Sequence, residues 1–354
     1  MRLIDLGWNS FFEENFESYR KQNLSPARIV RENRQSYLVQ GEQGEFMSEV
    51  SGRFRHNADS KGKFPTVGDW VAVAPRPDEE RAIIHGLLPR KSAFLRKVPG
   101  EITEEQIIAA NVDTVFIVCG LDGNFNLRRI ERYLSLAWES GAAPVILLNK
   151  ADICLEVEKR MVEVESIAIG VDVHPISATR KQGLEIFQTY ILAGKTAAFL
   201  GSSGVGKSTI INSILGYDRL VVREISGDGS RGRHTTTARE LVLLPGGGIV
   251  IDTPGMREIQ VWGDEEGLKQ AFDDIEELAA KCRFRDCRHR SEPGCAVQAA
   301  VSEGLLDVKR LQSFLKLKKE LRYLAARQSM KASAIEKDRW KRISELARNY
   351  KKKG

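Results

Sequence analysis

The sequence predicts a multidomain protein: a small β-barrel, a doubly wound α/β domain and a helical C-terminal region that holds a metal. Three observations predict it. Five short β-rich runs between 26 and 98 are separated by Gly, Asn, Asp and Pro clusters. From about 105 to 270, apolar strand-like runs alternate with helical ones. Cys282, Cys287, His289 and Cys295 then fall within fourteen residues of a basic, helical stretch.

A chain of 354 residues can bury two or three cores. The longest apolar runs, such as Val115–Gly120 and Pro144–Leu148, are too short to span a bilayer. Asp5 and Asn9 stand where a signal peptide needs its apolar core. A cytoplasmic protein is the expectation. The net charge of +6 is unevenly spread: residues 309–354 hold sixteen Lys/Arg against four Asp/Glu, so the first 308 residues sum to −6. A basic tail on a mildly acidic body suits a polyanion, whether nucleic acid or a membrane surface; the alternative is a solvated charged helix.

Residues 1–25 predict a leading helix with Leu6, Phe11, Phe12 and Phe16 as its apolar positions. The barrel is expected over 26–104, with strands at Ala27–Arg31, Ser36–Gln40, Phe46–Val50, Trp70–Ala74 and Ala82–Leu88, and an oligonucleotide-binding (OB) barrel is the natural candidate. The connection Gly52–Phe64 carries Arg53, Arg55, His56, Lys61 and Lys63 interleaved with Phe54 and Phe64. It predicts either contact with RNA phosphates and bases or a solvated hairpin loop with two core anchors.

Over 105–270 the expected buried strands are Val112–Cys119, Pro144–Leu148, Val173–Ile176, Thr196–Leu200 and Ile249–Ile251, with a helix over Leu127–Glu139. In a doubly wound sheet, functional residues gather at the carboxyl ends of strands. Gly201, Ser202, Ser203, Gly204, Val205, Gly206, Lys207 and Ser208, followed by Thr209, form a glycine-rich loop between a strand and a helix, the context that makes this pattern a phosphate-binding loop. Lys207 is expected to reach the β- and γ-phosphates and Ser208 to ligate Mg²⁺. Asn149, Lys150 and Asp152, in Asn-Lys-Ala-Asp, end another strand. The Asp152 carboxylate can accept from N1–H and the 2-amino group of guanine, which adenine does not offer. Lys150 packs over the base plane, Asn149 ties this corner to the phosphate loop, and Ser177-Ala178 presents an N–H to guanine O6.

Asp252-Thr-Pro-Gly255 supplies a second Mg²⁺ carboxylate at Asp252 and an N–H to the γ-phosphate at Gly255. Thr236, in the mobile-looking stretch Gly227–Thr237, is expected to complete the Mg²⁺ shell as a switch. Met256 stands where many GTPases carry a water-orienting Gln. Slow intrinsic hydrolysis is therefore expected, with His234 either placing the water or contacting RNA or solvent. In an ordinary G domain the phosphate loop comes first; here Asn149–Asp152 precedes Gly201, which predicts a circularly permuted P-loop GTPase domain. Because Asp252–Met256 then runs into the C-terminal region (271–354), the permutation predicts coupling between γ-phosphate sensing and RNA binding there.

Cys282, Cys287, His289 and Cys295 suit one closed, structural Zn²⁺, with four arginines between them. Cys119 and Cys154 are isolated and predict ordinary thiols.

With these residues in place, the chain resembles the ribosome-small-subunit-dependent GTPase A family over nearly its whole length. The match includes Pro65-Thr-Val-Gly-Asp69, Gly232-Arg-His-Thr-Thr-Thr237, Asp252-Thr-Pro-Gly255 and the Cys-Cys-His-Cys cluster. The resemblance implies binding to the 30S subunit late in its maturation, contact with 16S rRNA, GTP hydrolysis stimulated by that subunit, and release with GDP. It implies the nucleotide and zinc positions named above. A monomer with no membrane partner is the expectation. Two other readings stand beside it: an RNA-binding module whose nucleotide only regulates affinity, and a GTP-regulated assembly factor of the large subunit.

Overall fold

The computed structural model describes residues 1–33, 36–58, 60–98, 104–217, 239–252, 265–319 and 321–322. They fall into two compact units, Met1–Lys97 with Glu105–Trp262, and Val98–Glu104 with Gly263–Gly354.

Alternation along Arg81–Leu87 buries Ala82 and Ile84 and turns Arg81 and His85 to solvent. The same period, less strictly kept, builds the other barrel strands: β1 (Ser25–Glu32), β2 (Tyr37–Gly41), β3 (Gly44–Val50), β4 (Trp70–Arg76) and β5 (Arg81–Leu87). They pair in the order β1-β2-β3-β5-β4, and β4 returns to β1, closing a five-stranded OB-type barrel. Ala27, Ile29, Val39, Phe46, Val71, Val73, Ala82 and Ile84 fill it. The leading segment forms a 3₁₀ turn (Leu3–Leu6) and helix α1 (Ser10–Arg20), capped by Asn9 accepting from the Phe11 N–H at 3.1 Å. Leu6, Phe12 and Phe16 pack on Trp70, Ala72 and Leu88 of the barrel, while Phe11 is only half-buried. The connection Gly52–Phe64 is not a hairpin loop. It holds helix α2 (Gly52–Asn57), capped by Ser51, and a 3₁₀ turn (Lys61–Lys63).

The α/β sheet is ordered β10 (Val173–Pro175), β9 (Ala143–Asn149), β8 (Thr114–Gly120), β11 (Thr196–Leu200), β13 (Ile249–Asp252), β12 (Arg239–Leu243). The first five run parallel and β12 is antiparallel. β8 and β11 are buried along their whole length, which is why both read as continuous apolar runs. Helices α3 (Leu127–Ser140), α4 (Val157–Glu165), α5 (Phe187–Tyr190) and α6 (Lys207–Leu215) connect them.

Three strands were not expected from the sequence. β6 (Ala93–Val98) and β7 (Glu104–Ala110) form a two-stranded sheet. β12 pairs with barrel strand β1 at Arg31↔Glu240 and Glu32↔Arg239, so barrel and α/β domain share one eleven-stranded sheet. Behind that seam Arg28 is wholly buried. It donates to the carbonyls of Leu6, Gly68 and Asn111 and to Thr196 Oγ1, tying together the leading segment, the barrel and the α/β sheet. Burial lowers its pKa to about 10, so it remains a cation at neutral pH.

The second unit contains α7 (Glu265–Ala271), α8 (Asp273–Ala279), α9 (Ala296–Ser302) and a further helical run at 308–319. Phe272, Ile275, Val297, Leu311 and Phe314 are buried in it. Arg310 crosses its core, bonding Asp274 at 2.7 and 2.8 Å and lying 4.8 Å from the Phe272 ring. Among the described residues no helix is long and apolar enough to cross a membrane.

Candidate nucleotide and metal sites

The ends of β9, β10 and β11 converge. Asn149 closes β9 and is buried. Its amide donates to Val205 O in the glycine-rich loop at 2.8 Å, and its Oδ1 accepts the Ala178 N–H at 3.0 Å. One side chain thus joins three segments that are distant in sequence. Gly206 makes this possible, because a Cβ there would lie 2.2 Å from Asn149 Nδ2 and its φ of +99° favours glycine. Gly201 is held similarly: a Cβ would lie 2.5 Å from Val118 O.

The loop leads directly into α6, whose first residue is Lys207. The Lys207 ammonium is held by the carbonyls of Gly201 and Ser202, both at 2.6 Å. A lysine and a helix start thus meet at one glycine-rich loop, a favourable arrangement for phosphate. Asp152 sits at the neighbouring corner, with Oδ1 accepting from Ser177 Oγ at 2.7 Å and Oδ2 3.6 Å from Arg180 Nε. Lys150 takes a left-handed backbone (φ +67°) immediately after β9. The Ala178 N–H, expected to serve guanine O6, is used by Asn149 in this structure, so guanine would have to share or displace that bond.

Two functional neighbours escaped the sequence reading. Asp122, just beyond β8, accepts from Lys150 Nζ at 2.6 Å and fixes it. Burial raises the Asp122 carboxyl, but the Lys150 ammonium and the Asn124 N–H outweigh it and hold it below its ordinary value. Arg129, on α3, donates to Ser202 Oγ at 3.0 Å and buttresses the loop from behind. Neither belongs to a recognisable local motif, so only the fold reveals them.

Asp252 ends β13, which runs beside β11 in the register Thr196↔Ile249 through Ala198↔Ile251, so its backbone lies next to the strand that feeds the loop. His234, Thr236, Gly255 and Met256 lie outside the described residues, as does the coupling segment after Asp252.

In the second unit, one ligand atom each from Cys282, Cys287, His289 and Cys295 lies within 4.8 Å of every other. Cys282 Sγ is 3.8 Å from Cys295 Sγ, and each is 3.6 Å from His289 Nδ1. A tetrahedral zinc with its usual bond lengths demands S···S of about 3.8 Å and S···N of about 3.6 Å, so these residues fit that ion. His289 has a φ of +57°, and its carbonyl accepts from Gln298 Nε2 at 2.6 Å, which secures the tight turn. Burial, then the Lys318 cation, lowers the His289 pKa and favours the neutral, ligating imidazole. Burial raises the Cys282 thiol, but the N–H groups of Val297 and Ala296 at the start of α9 outweigh it and bring it below its ordinary value. Cys287 is pushed up to about 11, by burial first and then by the adjacent thiols, so a bound cation would be needed to ionise it.

The family model described as RsgA GTPase matches residues 87–262. The small ribosomal subunit biogenesis GTPase RsgA of Opitutus terrae is 44% identical over 352 residues, spanning 97% of this chain and 96% of its own. Among solved structures, YjeQ from Thermotoga maritima superposes with a TM-score of 0.64 at 28% identity, covering 84% of this chain and 98% of its own. YloQ, described as a circularly permuted GTPase, gives a TM-score of 0.61 at 25% identity, over 84% and 95%. In this chain Asn149–Asp152 precedes the glycine-rich loop that it meets in space. The chain belongs to the RsgA GTPase family.

Proposed function

We propose that this chain binds GTP at the junction of β9, β10 and β11, hydrolyses it to GDP and phosphate, and assists late maturation of the 30S ribosomal subunit. The observation that carries the reading is the double clamp by Asn149, which holds the guanine corner and the phosphate loop in one frame. Asp152 accepts the guanine N–H donors, and the loop from Gly201 to Thr209 cradles the phosphates. Lys207 exchanges its two carbonyl partners for phosphate oxygens. Ser208, Asp252 and Thr236 would hold Mg²⁺, which would supply positive charge to the phosphates as the bond to the γ-phosphate breaks. Cys282, Cys287, His289 and Cys295 hold one structural Zn²⁺. The domain bounds that go with this reading are 1–25, 26–104, 105–270 and 271–354.

The relatives' names specify the small subunit, which favours it over the large one. The basic tail and the Cys/His region supply the charge for contact with 16S rRNA. Multiple-turnover GTP hydrolysis with added 30S, 50S or no subunits tests the reading. Stimulation by 30S alone is expected; equal stimulation by 50S would overturn the assignment. In the same assay His234→Ala is expected to lower the stimulated rate and leave GDP affinity unchanged. A stimulated rate that does not change would remove His234 as the water-placing group.

A further inference from the structure

A cavity of about 680 Å³ opens on the barrel, within the size range of small-ligand sites. Its lining takes nothing from β2 or β3, the strands whose face OB barrels ordinarily present. It lies between the end of α1, α2 with the turn after it, and β5. Two half-buried aromatic rings, Tyr19 and Phe54, line it, and three exposed basic residues, Arg53, Lys63 and His85, join them. Among its described lining residues there is no carboxylate.

The walls are fixed before any ligand arrives. Gly86 lets the Tyr19 ring lie directly on β5; a Cβ at Gly86 would sit 2.3 Å from that ring. The Ser51 cap bonds the Phe54 N–H at 3.1 Å. Arg90 is spent on structure: it grips the fully buried Asp69 at 2.6 and 2.7 Å and the carbonyls of Gly62 and Phe64, anchoring the turn that carries Lys63. Its charge is therefore not what the cavity offers a ligand.

Flat aromatic walls with a cationic rim suit a nucleobase and its phosphate. A base can enter such a concavity only when unstacked and unpaired, which favours single-stranded over double-stranded RNA. Arg55 and His56 are exposed on α2 but outside the lining, so the cationic surface continues past the cavity, as a strand requires and a free nucleotide does not. We propose that this cavity takes one unstacked base of single-stranded RNA, with Tyr19 and Phe54 as its stacking walls and Arg53 and Lys63 on the adjoining phosphates. The proposal deepens the small-subunit reading, on which it rests for its RNA partner, but its test needs no ribosome.

The full-length protein is titrated against a short labelled oligouridylate by fluorescence anisotropy, at salt high enough to suppress purely ionic binding by the basic tail. Phe54→Ala is expected to weaken binding about fivefold or more, the loss of one base stack. Arg53→Gln, at an exposed position that should not disturb folding, is expected to reduce the salt slope by about 0.7, one single-strand phosphate contact. A 4-thiouridine strand should photocrosslink to Tyr19 or Phe54. Unchanged affinity and slope in both variants, or crosslinks confined to other parts of the chain, would overturn the proposal. So would uridine monophosphate competing as tightly as the strand, which would mark a free-nucleotide pocket. If 30S fails to stimulate GTP turnover while these results hold, the ribosomal reading falls and the base pocket stands.

Discussion

The nucleotide site and the cysteine knuckle are built from opposite materials. The first is made of backbone: glycines at positive φ, strand ends and one clamping amide, all resting on a sheet whose strands β8 and β11 are wholly buried. The second is made of four side chains in a stretch with little regular structure, between two seven-residue helices. A site resting on a sheet core keeps its shape whether or not its ligand is present. A site whose ligands are also its staples depends on the ion for its fold. The difference predicts how each region fails.

The largest expected effect comes from removing the metal. Zinc contributes about 10–16 kcal/mol to the folding of small zinc peptides. That is far more than the knuckle's own hydrogen bonds supply: the one from Gln298 to the His289 carbonyl is worth about 1 kcal/mol, and the Arg288, Arg290 and Ser291 N–H groups donate to Glu292. Chelation, or Cys295→Ser, should abolish bound zinc and expose the chain after about residue 265 to limited proteolysis. GDP affinity should stay within about twofold, because a doubly wound sheet folds around its own core. If affinity for GDP fell together with the metal, the two regions would not be independent in this sense.

Next in size is the guanine corner. Asp152→Asn replaces the carboxylate that the proposed site uses to accept two guanine N–H groups. Hydrogen bonds to charged groups are worth about 1.5–3 kcal/mol each, so GDP should bind about a hundredfold more weakly. Xanthosine diphosphate, whose 2-oxo group accepts from an amide, should gain affinity in this variant. Isothermal titration with both nucleotides reads the exchange. A uniform loss for both would mean that Asp152 shapes the corner, through Ser177, without reading the base.

The two regions also differ in how they show in the sequence. The knuckle is legible almost entirely, because its chemistry resides in side-chain identities packed into fourteen residues. The strands around the proposed nucleotide site were legible too, β11 with its bounds unchanged and most of its neighbours nearly so. What escaped depends on contacts distant in sequence. β12 begins with Arg239-Glu240, a charged start that a buried strand would not have, because its partner is a barrel strand 209 residues earlier. Asp122 and Arg129 act through Lys150 and Ser202, and no local spacing links them. The Gly52–Phe64 connection displayed its charges plainly, yet the helix within it and the cavity beside it need Tyr19 and Gly86 from elsewhere.

The smallest effects should come from that unexpected seam, where β12 meets β1. Among the described residues, two ion pairs cross it. Arg31–Glu240 is open to solvent on the arginine side (42% exposed), whereas Arg239–Glu32, at 3.2 Å, is 15% and 24% exposed. The second pair is also embedded: Thr66 Oγ1 donates to Glu32 at 2.9 Å, and Arg239 reaches Ile107 O at 3.4 Å. A solvent-screened pair is worth about 0–1 kcal/mol, so Glu240→Gln should scarcely move the chemical-denaturation midpoint. Arg239→Gln leaves Glu32 without its cation in a more enclosed place and should cost about 1–3 kcal/mol. That ordering follows if backbone pairing and buried Arg28 hold the barrel to the α/β domain, with the outer charges only trimming the edge. Equal losses from the two substitutions would mean that the exposed charges carry the seam. The strand ending at Asp252 would then be joined to the barrel, through β12, by a contact that salt can loosen.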